Sequence, residues 1–123
     1  MLSFVLDSGS MINVVPVDLV KKFGVQPYLS RTLLIKGAGG AKLAHFGRVI
    51  ITLNVGEHST KFCAEVAAVH RPLLSVGALL NFGTILKLEK NDSVLECKTH
   101  QDEQVVIPLE FAKGIFWLLG QCR

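Results

Sequence analysis

Short apolar runs broken by glycine- and proline-bearing turns dominate the chain, a rhythm that predicts a mostly β fold. Residues 3–6 read as an opening strand that runs straight into Asp7-Ser8-Gly9. A second apolar stretch, 12–15, follows and is closed by Pro16, and residues 17–23 suit a short helical turn between Pro16 and Gly24. Residues 31–36 and 41–45 form the arms of a hairpin whose tip is Gly37-Ala38-Gly39-Gly40. The β-branched stretch 47–55 ends in a Gly56-Glu57 turn. Residues 61–69 then return with Phe62, Ala64, Val66 and Ala68 on one face, the alternation of a half-buried strand.

Residues 72–74 lead into the best helix candidate, 76–82, where Val76, Leu79 and Leu80 recur at helical spacing and Gly83 supplies the stop. Residues 84–90 and 93–98 make a hairpin about Asn91-Asp92, a pair suited to turns. Two further strands, 105–108 and 115–119, complete the chain, and residues 100–103 are its most polar loop. No internal repeat or linker divides it, so one domain spanning 1–123 is expected.

Composition narrows the class. Half the residues are hydrophobic and 19% are charged, the balance of a folded unit rather than a disordered tail. With seven Phe, one Trp and one Tyr, the core must rest mainly on Val, Leu, Ile and Ala. The net charge of +3 is scattered, its densest clusters being pairs such as Lys21-Lys22, and no stripe combines cations with aromatic residues. No specific nucleic-acid partner is therefore expected.

Cys63, Cys97 and Cys122 are an odd number at wide spacing, and His45, His58, His70 and His100 are equally dispersed. Neither a disulfide framework nor a zinc site is expected, nor any other cofactor, and a reduced, intracellular, cytoplasmic setting follows. Apolar runs fall far short of the roughly 20 residues that span a bilayer, so no membrane partner is expected. Residues 1–6 are apolar but lack the basic start and cleavage site of a signal peptide.

The chemistry concentrates at Phe4-Val5-Leu6-Asp7-Ser8-Gly9-Ser10. An Asp directly after an apolar strand, followed by a small hydroxyl residue and Gly, suits a carboxylate that is sheltered yet reachable. Alone, the tripeptide is equally an ordinary turn. A surface turn between strands is usually polar, however, and this one sits between apolar runs, with Ile12-Asn13-Val14-Val15-Pro16 behind it.

That loop resembles the active-site loop of retropepsin-like aspartic proteases, and three further segments match in order. Ile35-Lys36-Gly37-Ala38-Gly39-Gly40 resembles the glycine-rich flap tip; a plain hairpin turn has the same composition, whereas the phosphate-binding glycine spacings are not met. Residues 71–80, Arg71-Pro72-Leu73-Leu74-Ser75-Val76-Gly77-Ala78-Leu79-Leu80, resemble the strand-to-helix segment that crosses beneath the active-site loop, although a generic core helix reads the same way. The Leu-Leu-Ser-Val form is closest to copia-type retrotransposon proteases. Gly83-Thr84-Ile85-Leu86-Lys87-Leu88 is similar to the apolar strand that follows. Two departures stand out: Ser75 occupies a position where many retroviral members carry Gly, with no Arg after it, and Met11 and Ile12 stand where acidic residues are common.

The resemblance implies a closed β-barrel half-protease with one short helix near the C-terminal part of a core at about 3–88, residues 89–123 being a C-terminal β extension. It implies that Asp7 is the catalytic carboxylate, that Ser8 and Gly9 shape its loop, and that Gly37, Ala38, Gly39 and Gly40 form a flap. Val14, Leu73 and Leu74 would line apolar substrate pockets. No second Asp has an Asp-Ser/Thr-Gly context, since Asp18, Asp92 and Asp102 lie in polar or turn segments. The partners implied are a second copy of the chain and a peptide or polyprotein substrate. A catalytically inactive domain of the same fold, used for dimerisation or peptide binding, fits the same residues, as does an unrelated β interaction domain. Cys63 and Trp117 read as packing residues and His70 as structural.

Overall fold

The structure is a computed structural model that describes residues 2–28, 35–37, 39–55, 58–81, 83–89, 91–98 and 103–122. Its elements run β1 (Leu2–Asp7), β2 (Val14–Pro16), α1 (Val17–Lys22), β3 (Ile35–Lys36), β4 (Lys42–Leu43), β5 (His45–Val55), β6 (His58–Ala67) and β7 (Leu73–Ser75). They continue with α2 (Val76–Asn81), β8 (Ile85–Lys87), β9 (Val94–Lys98), β10 (Gln104–Pro108), β11 (Glu110–Ala112) and β12 (Ile115–Cys122). The fold is mostly β, as the sequence predicts, and both short helical segments form. α1 carries Asp18 in its first turn and Lys21 and Lys22 in its last, the arrangement that complements a helix dipole. α2 stops at Gly83, whose φ of 80° lies in the left-handed region and whose N–H returns to the Leu80 carbonyl at 3.0 Å.

Seven strands form the main sheet in the order β1-β7-β2-β6-β5-β12-β11, with β12 also pairing β1. β1 runs parallel to β7, placing Val5 beside Leu73 and Asp7 beside Ser75. β2 runs parallel to β6 and antiparallel to β7, so the chain leaving the Asp7 loop is held between two strands more than fifty residues away. The other strands make a three-stranded sheet, β10-β9-β8, and the two-stranded β3-β4 hairpin. The expectation of one closed barrel is thus met only as a mostly β architecture of three sheets.

One core joins the main sheet to the three-stranded sheet. Phe4, Val15, Leu53, Val66, Leu74 and Leu118 are buried together with Leu95, Val105 and Ile107. Phe4 meets Phe62 edge-on at 5.4 Å, and burying a side chain of that size stabilises the fold by about 2–3 kcal/mol. Residues of the C-terminal β segments share in this cluster, because β12 returns to pair with β1 across Phe4↔Leu118.

Several local expectations are corrected. The second strand starts at Val14 rather than residue 12, since the intervening residues spend their polar groups on the loop described below. Phe62, Ala64 and Val66 face inward, but Ala68 lies past the end of β6 and is exposed. Cys63 is exposed rather than core, as the alternation that turns Phe62 and Ala64 inward turns it outward. β11 was not foreseen; it pairs with β12 about a Lys113-Gly114 turn in which both residues have positive φ. The expected strand 31–36 is described only at Ile35–Lys36, and the Gly56-Glu57 turn and residues 100–102 lie outside the described residues.

Candidate active site

Asp7 is the last residue of β1, so the apolar strand that fills the core ends at a carboxylate. The Gly9 N–H donates to Asp7 Oδ1 at 2.8 Å. A Cβ at position 9 would stand 3.3 Å from the same oxygen, tighter than ordinary contact, so the residue after Ser8 must be small for the carboxylate to keep this donor. Asp7 is half-buried, while Ser8 and Gly9 are exposed. A carboxylate carried on a rigid strand and open on one side can meet a ligand from solvent.

The rest of the loop is braced from beneath. The Ser10 hydroxyl donates to the Ile12 carbonyl at 2.6 Å, closing a local turn. The Ser75 hydroxyl donates to the Ser10 carbonyl at 2.6 Å and accepts from the Ala78 N–H at 3.1 Å. It thereby caps α2 and holds the Asp7 loop with one buried oxygen. Asn13 works in the opposite direction: its Oδ1 accepts from the Ser75 N–H at 2.8 Å and its Nδ2 donates to the Cys63 carbonyl at 3.2 Å. The Asn13 carbonyl also accepts from the Glu65 N–H at 2.9 Å. Loop, β6 and β7 are thus joined by polar groups that satisfy one another.

On β6, in register with Val14 of β2, lies a buried charge. Glu65, 3% exposed, receives Arg48 Nε on both carboxylate oxygens at 3.1 and 3.2 Å. His45 Nε2 is 3.6 Å from Glu65 Oε1. The Glu65 carboxylate, by hydrogen bond and charge, holds the Arg48 guanidinium above its ordinary pKa. A tight loop fixes this cluster: Tyr28 and Arg48 exchange backbone hydrogen bonds at 2.9 and 3.0 Å. At Gly47, φ is 118° and a Cβ would come within 2.8 Å of the Tyr28 carbonyl.

Of the other residues singled out in the sequence, Gly37, Gly39 and Gly40 cap the β3-β4 hairpin, with the Gly37 N–H on the Ala41 carbonyl at 2.8 Å and the Gly40 N–H on the Gly37 carbonyl at 2.9 Å. Ala38 lies outside the described residues. The arms of this hairpin pack through Ile35 and Leu43 onto Ile12, Val14, Ala67 and Val69, which ties its root to the strand leaving the Asp7 loop. Val14 and Leu74 are buried, while Leu73 is half-buried between Val5 and Val14. Trp117 is half-buried, gives its Nε1–H to the Ala112 carbonyl at 3.3 Å and lies under the Arg71 guanidinium. Sequence reasoning missed Asn13 altogether and treated Ser75 only as a departure. The signal available for both was a polar residue inside an otherwise apolar run.

No family model matches the chain, and no curated protein matches it. Among solved structures, it is similar to the retroviral protease-like domain of Ddi1 from Leishmania major, with a TM-score of 0.54 and 15% identity over 88% of this chain and 94% of that one. At that identity the likeness speaks for architecture: the chain has a retropepsin-like fold.

Proposed function

We propose that this chain is an aspartic endopeptidase that works as a homodimer, each copy supplying one Asp7. The observation that carries the reading is the placement of Asp7 at the end of β1, on a loop braced by Ser75 and Asn13, within a retropepsin-like fold. In this reading the main sheet, whose β12 reaches both β1 and β5, is the closed barrel of a half-protease. The chain, in this reading, resembles copia-type retrotransposon enzymes and processes a polyprotein inside the cell.

Two carboxylates about 3 Å apart cannot both ionise, so a paired Asp7 dyad holds one proton between them. The ionised member takes a proton from a water, which attacks the scissile carbonyl carbon. The neutral member hydrogen-bonds the carbonyl oxygen as charge develops there, and when the tetrahedral species collapses the C–N bond breaks and the amine leaves with the proton the dyad took from water. The dyad titrates as a unit, and neither subunit owns a fixed role. Gly9 would permit the close approach of two such loops, Ser8 would brace them, and Gly37, Ala38, Gly39 and Gly40 would close over the peptide. Leu73, with Val14 and Leu74 behind it, would meet apolar substrate side chains. One Asp-Ser-Gly per chain makes the interface isologous, with the site on its axis.

The test compares parent and Asp7→Asn proteins on a peptide library, alongside sedimentation of both. Cleavage that the substitution abolishes, in a dimeric species, is the expected result. Equal cleavage by the two proteins removes the assignment. A dimer that binds peptides without cutting them moves the chain to the inactive, peptide-binding class.

A further inference from the structure

Thr60, Lys61, Phe62 and Cys63, consecutive residues of β6, all line a cavity of about 1000 Å³ that opens between the main sheet and the β8-β9-β10 sheet. Over a sheet face only alternate residues would reach one space, so this cavity runs along the edge of β6. The hydrogen bonds agree. The Glu65 N–H and the Cys63 carbonyl both turn away from β5, the first to the Asn13 carbonyl and the second to Asn13 Nδ2. In an antiparallel ladder that orientation recurs at every second residue, so the Cys63 N–H and both backbone groups of Lys61 also turn away from β5. β2 covers β6 only at Glu65–Ala67, and among the described residues no strand covers Lys61 or Cys63 on that side. Asp7, Ser8 and Gly9 are not among the lining residues.

An open edge with room beside it takes an extended chain, because a strand satisfies a row of backbone donors and acceptors at that spacing. The side chains around the edge define which chain. Phe62 turns inward, and Leu74, Leu79 and Leu118 line the same cavity, so a residue added opposite Phe62 meets an apolar floor. A residue opposite Lys61 stands on the solvent side. Lys61 is exposed and makes no ion pair among the described residues, so it favours a carboxylate across from it. A second copy of β6 paired about this position would set Lys61 against Lys61, which disfavours the chain's own edge as the occupant. We propose that the β6 edge binds an extended acidic peptide as an added antiparallel strand. The peptide's Asp or Glu lies opposite Lys61, and the apolar residues on either side of it turn inward toward Leu74, Leu79 and Leu118. This site is separate from Asp7 and does not depend on the peptidase reading.

The experiment titrates the full chain into fluorescein-labelled Thr-Val-Glu-Val-Thr, followed by anisotropy, and maps amide hydrogen exchange in the complex. Saturable binding is expected, with exchange slowed at the Lys61 and Cys63 N–H groups. Lys61→Glu, at an exposed position, is expected to weaken this peptide about fivefold or more, the size of one exposed ion pair replaced by like charges. The same variant is expected to favour Thr-Val-Lys-Val-Thr over the parent peptide. Methylating the peptide's Glu nitrogen removes a ladder donor without changing its charge, and is expected to abolish binding. Absence of saturable binding overturns the proposal, as does protection that appears elsewhere but not at Lys61 and Cys63. Undiminished binding of the methylated peptide overturns strand addition, and an unchanged order of the two peptides in Lys61→Glu overturns the acidic partner.

Discussion

The Ser75 hydroxyl donates to the Ser10 carbonyl across 2.6 Å, joining two residues 65 positions apart in the chain. The same oxygen caps α2 through the Ala78 N–H. One buried atom therefore sets both the depth of the Asp7 loop and the start of the helix beneath it.

Ser75→Ala removes that donor and that cap while leaving the Ser10 carbonyl and the Ala78 N–H in place. The expected cost is about 2 kcal/mol, the sum of a lost helix cap and a buried group without its partner. Urea denaturation of the two proteins measures it. Asn13→Ala acts on the same network through the Ser75 N–H, so a double-mutant cycle with Ser75→Ala is expected to give a coupling of about 0.5 kcal/mol or more. Strict additivity would mean that the loop is not a single unit.

Gly47→Ala is expected to be among the most damaging small substitutions in the chain. The new Cβ would meet the Tyr28 carbonyl at 2.8 Å and Pro27 Cβ at 3.2 Å, at a φ of 118° that L side chains avoid. Backbone on one side and a rigid ring on the other leave little room to yield, and the cost is expected at about 2–4 kcal/mol. Thermal unfolding reads it, and a change within error of the parent would refute the geometry.

The Glu65–Arg48 pair predicts an order of stabilities rather than a single value. Arg48→Met strands a buried carboxylate beside His45, whereas Arg48→Met with Glu65→Leu removes the charge as well. The double variant is expected to unfold at the higher temperature of the two. The reverse order would show that Glu65 is well solvated.

Burial raises the Cys97 thiol above its ordinary value of 9.0. The folded chain then keeps a proton that the unfolded chain has already released. The stability Cys97 contributes is full below about pH 9 and is lost as pH rises from there through the raised folded value. Parent and Cys97→Ala denaturation midpoints, followed from pH 8 to 10, are expected to draw together at the alkaline end if the parent began higher, or to part further if it began lower. A constant difference would mean no shift. In the folded protein, iodoacetamide is expected to modify exposed Cys63 well before Cys97.

What the sequence disclosed was local. The strand before Asp7, the helix stop at Gly83 and the hairpin of β8 and β9 each follow from a few neighbouring residues and survive in the structure. Cys63 was legible too, because the alternation that turned Phe62 and Ala64 inward should have turned it out. Glu65 was not: the same alternation turns it outward, yet it is buried, with Arg48 and His45 brought over by β5 as its ionic neighbours. Asn13 and Ser75 meet across 62 positions, and β12 finds β1 from the far end of the chain. A polar residue's partner at that range is decided by sheet order, which no short window of residues contains.

The parallel pairing of Asp7 with Ser75 also has a consequence for synthesis. A growing polypeptide that has delivered this chain only as far as residue 70 beyond the ribosome still lacks the strand beside β1, the serine under the loop and the helix that serine caps. Until these arrive, Asp7 has no fixed direction, and the neighbour on the other flank of β1, β12, comes last of all. Contacts of such long range slow the search for the native state, and here they also set its order. Nascent molecules consequently carry an unbraced Asp7 loop until β7 has emerged, and a β1 with one open flank until β12 follows.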